Sequence, residues 1–302
     1  MSRVYVFTDY GGPETEALID RPAVPEPGSG ELAVEVRAAG VNPADWKIRE
    51  GLLGRDRTLP APMGLEVAGV VTAVGDGVTD FAVGDAVLGP PAPGLGGFAD
   101  HTLIRAADAV AKPDEVSFAD AATIPVAATT AYDLTHQIEL EAGQSLLIVG
   151  AGGGVGVMVA QIAKVHQFHA IGVASEAKRG LVESTGATFV ASGDGFADKV
   201  RELAPDGVDL VIDLVGGEVL RQAAPLATEP ARVLSAADPA VTELGGATRQ
   251  RDPESMEKIT GVIEYGLVDP NVSGRFPLEQ AREALAVVES GHATGKTIIV
   301  SS

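Results

Sequence analysis

The sequence predicts an α/β protein in two parts, a β-rich part and a doubly wound parallel sheet, on three observations. The first 120 or so residues are dominated by alternating or β-branched runs set off by Gly and Pro. From Ser145 onward short apolar strands alternate with helical patterns, and repeated strand–helix units imply parallel strands with helices on both faces. Where this second pattern begins, SLLIVGAGGGVGVMVAQIA (145–163) passes from strand to tight turn to helix.

In the first part, ELAVEVRAAGV (31–41) and EVAGVVTAVG (66–75) read as strands, and GPPAPGLGG (89–97) reads as a surface loop. The stretch 145–163 carries no charge, which raises a membrane span as an alternative; such a span needs roughly 20 apolar residues. Its composition argues against that. LLIV is the kind of run that fills a strand buried on both faces. Gly150, Gly152, Gly153, Gly154 and Gly156 follow, and each Gly costs about 1 kcal/mol in a helix relative to Ala. Beyond the turn, Val155, Met158, Val159, Ile162 and Ala163 fall at helical spacing. HAIGVA (169–174) is the next strand, followed by a helical stretch SEAKRGLVESTG and a short strand TFVAS. A helix near 195–204, the strand VDLVIDLV (208–215), a helix near 217–226 and the strand RVLSAA (232–237) complete the alternation. Residues 238–258 are polar and carry no readable period. PLEQAREALAVVESG reads as a last helix and KTIIVSS as a terminal strand.

Composition narrows the function. The chain has no cysteine, which removes disulfides, thiolate catalysis and cysteine-ligated metal. A formal net charge of −20 argues against nucleic acid and anionic membranes as partners. It leaves room for an anionic small molecule, since screening limits surface charge to about 8 Å at physiological salt. MSRVYVFTDYGG has no apolar signal segment, so a cytoplasmic protein is the expectation.

The strand–turn–helix context makes the turn a candidate dinucleotide site. Its glycines are spaced Gly150-x-x-Gly153-x-x-Gly156, with Gly154 and Val155 opening the helix. Glycines let the backbone approach a pyrophosphate, and the free N–H groups of the helix N-terminus bind it. Cofactor choice depends on the end of the second strand, where an NAD site carries an acid. Here the strand ends GVASEAKR. Ser175, Lys178 and Arg179 suit a 2′-phosphate, which favours NADPH. Glu176 would hold an NAD ribose if it turned inward, and Lys178 and Arg179 also read as a solvated helix face. Val215, at the end of the strand 208–215, completes the expected cofactor contacts.

Three further motifs join the glycine turn: AAGVNPADWKIREG (38–51), GLEVAGVVTAVGDGV (64–78) and IPVAATTAYDLT (124–135). Together with RFPLEQAREALAVVESGHATGKTIIV they cover nearly the whole chain. The sequence resembles the medium-chain dehydrogenase/reductase superfamily, and within it the zinc-free NADPH:quinone oxidoreductase branch. The resemblance implies a GroES-like, β-rich catalytic domain (residues 1–122, completed by 265–302) and a Rossmann-type nucleotide-binding domain (residues 123–264) inserted into it. It also implies a homodimer.

At the positions where zinc alcohol dehydrogenases of this superfamily carry their ligands, this chain has Asn42, Leu65 and the PVA of 125–127; Ala44 replaces the proton-relay hydroxyl. Zinc needs N, S or carboxylate ligands, so no metal is expected, and Glu66 reads as a structural carboxylate bonded to backbone or Arg. Without a Lewis acid an alcohol–ketone couple lacks its usual stabilisation. A quinone or α,β-unsaturated carbonyl spreads the incoming charge onto oxygen, where a few hydrogen-bond donors suffice. The resemblance places Asn42 near the nicotinamide ribose and substrate, and Thr130 at the nicotinamide end. Lys47 stands where many quinone reductases have Tyr. Trp46 beside it is a candidate apolar wall, and Lys47 or Tyr132 a candidate proton donor. Ser192 lies where relatives often have a Tyr that stacks on adenosine. His101, His136, His166, His169 and His292 show no ligand-like spacing. The expected function is reduction of quinones or enones with NADPH. Alternatives are an enoyl reductase of a biosynthetic, polyketide-like pathway and a non-enzymatic NADPH-binding protein.

Overall fold

A computed structural model describes residues 2–21 and 25–301. The chain forms two compact units, one of residues 1–127 and 272–302, the other of residues 128–271.

The first unit is built on the long strand Glu31–Val41. It pairs antiparallel with Val67–Val74, with His101–Arg105 and with the C-terminal strand Lys296–Val300. Two register shifts against Val67–Val74, at Ala33/Val34 and Val36/Ala38, let one strand serve several partners, since a bulge adds bend and twist. Val272–Pro277, Ala86–Gly89 and Val110–Ala111 extend the sheet. A second, three-stranded sheet has the order Glu16–Arg21, Ser2–Phe7, Ala61–Pro62. Phe7, Leu32, Phe98 and Ile104 are fully buried in the core, which takes in Leu285 from the helix Ala281–Glu289. The chain's two ends thus share one hydrophobic cluster. Ser2–Phe7, Glu16–Arg21 and Val272–Pro277 are strands beyond those legible in the sequence; in the first two, mixed burial blurs a period of two.

The second unit is a six-stranded, all-parallel sheet. Its order is Thr188–Ala191, His169–Ala174, Ser145–Val149, Leu210–Asp213, Val233–Ser235, Ala247–Thr248. The order reverses between Ser145–Val149 and Leu210–Asp213, the switch point outside whose C-terminal edge such sheets bind ligands. Leu146, Leu147, Ile148 and Leu210, Val211, Ile212 are fully buried, as runs covered on both faces should be. The helix Gly154–Val165 buries Met158, Val159, Ile162 and Ala163 as its spacing predicts. The stretch SEAKRGLVESTG is a 3₁₀ turn, Glu176–Lys178, leading into a short helix, Arg179–Ser184. Residues 238–258 prove to contain a 3₁₀ segment Pro239–Leu244, the edge strand Ala247–Thr248 and the start of a helix, Ser255–Glu264.

Candidate functional site

The residues with site chemistry gather in two places, one in each unit. In the nucleotide-binding unit, the strand Ser145–Val149 ends at Gly150, whose φ of 91° is open to glycine and strained for other residues. The helix begins four residues later and packs hard against the turn. A Cβ at Gly156 would stand 2.3 Å from the Gly150 carbonyl oxygen. Val157 N–H donates to Gly153 O at 3.0 Å. The amides of Gly154, Val155 and Gly156, at the start of the helix, have no helical carbonyl four residues back. They carry the positive end of the helix dipole and can bind an anion.

Two elements close on this turn. Val215, 52 % exposed after the strand Leu210–Asp213, reaches with Cγ2 to 3.1 Å from where a Gly150 Cβ would stand. Its loop is pinned by the fully buried Asp213 carboxylate, which accepts from Val215 N (3.1 Å), Gly216 N (2.9 Å) and Ser235 Oγ (2.6 Å). From the other side, the half-buried Lys178 lays its alkyl chain along Gly152, where a Cβ would meet Lys178 Cδ at 2.6 Å. Burial pulls its ammonium below the usual lysine range. Ser175 is exposed directly after His169–Ala174, and Ser192 N–H donates to Ala174 O at 2.8 Å beside it.

The structure divides the two cations that the sequence offered together. Arg179 is held on its own helical face, with Nε 2.6 Å from Glu176 Oε1 and Nη1 3.2 Å from Glu183 Oε1. Its guanidinium lies 4.2 Å from the centre of the Phe189 ring. The pairing also engages Glu176, the acid that would have held an NAD ribose. The turn, its amides and Lys178 fit a dinucleotide with an additional phosphate; Arg179 is not gathered with them.

Thr130 is buried, and its hydroxyl accepts from Arg249 Nη1 at 2.6 Å. Arg249 also donates to Thr129 Oγ1 (3.0 Å) and to Asp133 Oδ2 (2.7 Å), and Ser255 bonds the other Asp133 oxygen. Arg249 and Asp133 were not foreseen, because Arg249 lies in the stretch without a period. Tyr132 requires a correction. Its ring stacks on His136 at 3.9 Å, His136 meets His166 edge-on at 5.1 Å, and His166 stacks on Phe168. His166 caps the C-terminal end of the helix Gly154–Val165, and Phe168 precedes the strand His169–Ala174. Tyr132 is therefore turned toward the edge of the sheet opposite the glycine turn.

In the other unit the residues converge around Glu66, which is completely buried. Its Oε1 accepts from Asn42 Nδ2 (2.8 Å) and Lys296 Nζ (2.9 Å), and its Oε2 from Val126 N (2.8 Å) and Ala127 N (3.3 Å). The partner side chain is thus Lys296, where the sequence suggested Arg. Lys296 opens the last strand in phase with Ile298 and Val300, the one sequence signal that it faces inward. Asn42 precedes the helix Pro43–Arg49, and its N–H donates to Asp45 Oδ2 at 2.8 Å. Burial pushes the Asp45 carboxyl up to about 7; the Asn42 N–H opposes the rise, the Glu66 charge adds to it and Lys296 opposes it. On the same helix Trp46 and Lys47 are half-buried, with Lys47 Nζ 5.8 Å from the Trp46 ring centre. Among the described residues no acid pairs with Lys47.

Two family models match the chain: an alcohol dehydrogenase GroES-like domain over residues 28–114 and a zinc-binding dehydrogenase over residues 185–299. An NADPH-dependent alkenal/one oxidoreductase from Arabidopsis thaliana is 34 % identical, covering 98 % of this chain and 79 % of that protein. A quinone oxidoreductase from Rattus norvegicus is 32 % identical over 99 % of this chain and 98 % of its own. The crystal structure of a quinone oxidoreductase from Pseudomonas syringae superposes with a TM-score of 0.90 at 26 % identity, over 99 % of this chain and 100 % of the other. The zinc in the second model's description does not fit the residues present. Glu66 is already neutralised by an ammonium 2.9 Å away. Its neighbours Asn42 and Leu65 offer neither imidazole nor thiolate.

Proposed function

The chain belongs to the medium-chain dehydrogenase/reductase superfamily, in the branch of the quinone and alkenal/one oxidoreductases, and from that premise we propose that it reduces quinones and α,β-unsaturated carbonyls with NADPH, without zinc. The observation that carries this reading is the Glu66–Lys296 pair. A carboxylate consumed by an internal ammonium leaves the catalytic unit to work through hydrogen-bond donors, and conjugated acceptors are the substrates for which donors suffice.

NADPH, when bound, supplies the hydride. Gly154, Val155 and Gly156 offer their amides to its pyrophosphate, Lys178 its ammonium to the 2′-phosphate, and Val215 an apolar cover. Arg249 holds Thr130 in place at the nicotinamide end. In the catalytic unit Asn42 orients the reacting groups and Trp46 provides a flat apolar wall. Lys47 stabilises the oxygen on which charge gathers and returns a proton to the product. Tyr132 has no part in this. The same family resemblance supports a cytoplasmic homodimer, and no helix among the described residues is long and apolar enough to cross a membrane.

The test follows NADPH oxidation by the purified chain against quinones, enals, cyclic enones and saturated ketones, before and after exhaustive chelation. Turnover of the conjugated acceptors, unchanged by chelation, is expected. Preferential turnover of a simple ketone that chelation abolishes would overturn the proposal.

A further inference from the structure

Asn42, Glu66 and Lys296 form a closed triangle: Lys296 Nζ to Asn42 Oδ1 (2.9 Å), Asn42 Nδ2 to Glu66 Oε1 (2.8 Å), and Lys296 Nζ to Glu66 Oε1 (2.9 Å). A third bond from Nζ reaches Val41 O at 3.1 Å, so each ammonium hydrogen has an acceptor. All three side chains are at least 96 % buried. A carboxamide usually has two nearly equivalent orientations related by a flip. Here an ammonium can only donate and a carboxylate can only accept. The Asn42 oxygen must face Lys296 and its nitrogen must face Glu66; a flip would set oxygen against carboxylate and NH₂ against ammonium.

We propose that Lys296, with Glu66, is a positioning residue that locks the Asn42 carboxamide in one orientation and so fixes the direction of its second N–H toward the reacting ligands. This rests on the proposed role of Asn42 in orienting those ligands. Neither Lys296 nor Glu66 touches substrate; both act through Asn42. Glu66 and Lys296 lie 230 apart in sequence, and the bond from Lys296 to Asn42 ties the last strand to the start of the helix bearing Trp46 and Lys47.

The test is a cycle of full-length variants: Asn42→Ala, Lys296→Met with Glu66→Gln, and all three together. Replacing both charges at once avoids stranding one of them, and such replacements are often well tolerated. The double variant is expected to lose roughly 10–100-fold in kcat, as a misplaced orienting group does, with its NADPH Kd moving much less. The triple variant should fall no further than Asn42→Ala alone. Losses that multiply in the triple variant would overturn the proposal, as would full kcat in a folded double variant. If the double variant does not fold, the amide pair Glu66→Gln with Lys296→Gln decides. Each amide can donate as well as accept, which frees Asn42 to flip, so undiminished kcat would overturn the proposal and a matching loss would support it. Full activity in Asn42→Ala would instead refute the role given to Asn42, a separate failure.

Discussion

Asp45→Asn tests the electrostatics of the catalytic unit, because it removes a charge and keeps the shape. The Asp45 carboxyl is completely buried beside Glu66, and burial raises it from an ordinary 3.8 to about 7. Its folded-state value lies above its unfolded one. The stability associated with the neutral acid is therefore whole below about pH 4 and is lost as pH rises through about 7. A rise of about three pH units costs ~4 kcal/mol once the group is fully ionised. Near the isoelectric point of about 4.5 the protein would be poorly soluble. The measurable window therefore runs from about pH 5.5 to about pH 8, across which roughly 2 kcal/mol of that cost develops. Asn at this position can still accept from the Asn42 N–H and cannot ionise. The variant should gain roughly 2 kcal/mol on the parent between those two pH values. Trp46, the only tryptophan in the chain, is the next residue, so its fluorescence in a urea titration follows the unit concerned. An offset between variant and parent that is equal at both pH values would refute the reasoning, as would a parent that gains on the variant as pH rises.

Four other substitutions probe the nucleotide-binding unit. Lys178→Ala should raise KM for NADPH roughly tenfold or more, the worth of a charge-assisted contact, and leave KM for NADH nearly unchanged. Arg179→Ala, which breaks exposed pairs with Glu176 and Glu183 and the contact with the Phe189 ring, should change either KM less than about threefold; equal effects of the two variants would discard the distinction. Gly156→Ala places a methyl 2.3 Å from the Gly150 carbonyl. It should cost about 1–3 kcal/mol and weaken NADPH binding, and isothermal titration with parent-like affinity would contradict that. Arg249→Met strands the Asp133 carboxylate, whose side chain is 1 % exposed. It should destabilise the unit by roughly 3 kcal/mol or more; thermal unfolding followed by circular dichroism would count against this if the transition did not move.

The sequence by itself determined the strand–glycine turn–helix unit, the parallel sheet and the general place of the cofactor. These are written in signals a few residues long: an apolar run, glycines where the backbone turns tightly, and an apolar stripe with the period of a helix. Tertiary structure alone decided what each polar side chain does. Lys178 and Arg179 are adjacent and chemically alike, yet one lies along Gly152 and the other is held by Glu176 and Glu183. Tyr132 sits two residues from Thr130 and faces the opposite edge of the sheet. Lys296 opens the last strand with only its phase to mark it, and its partner Glu66 lies far off in sequence. A charge enters the interior only where a partner offsets its lost hydration, and the identity of that partner is settled by packing between distant segments, which no local pattern records.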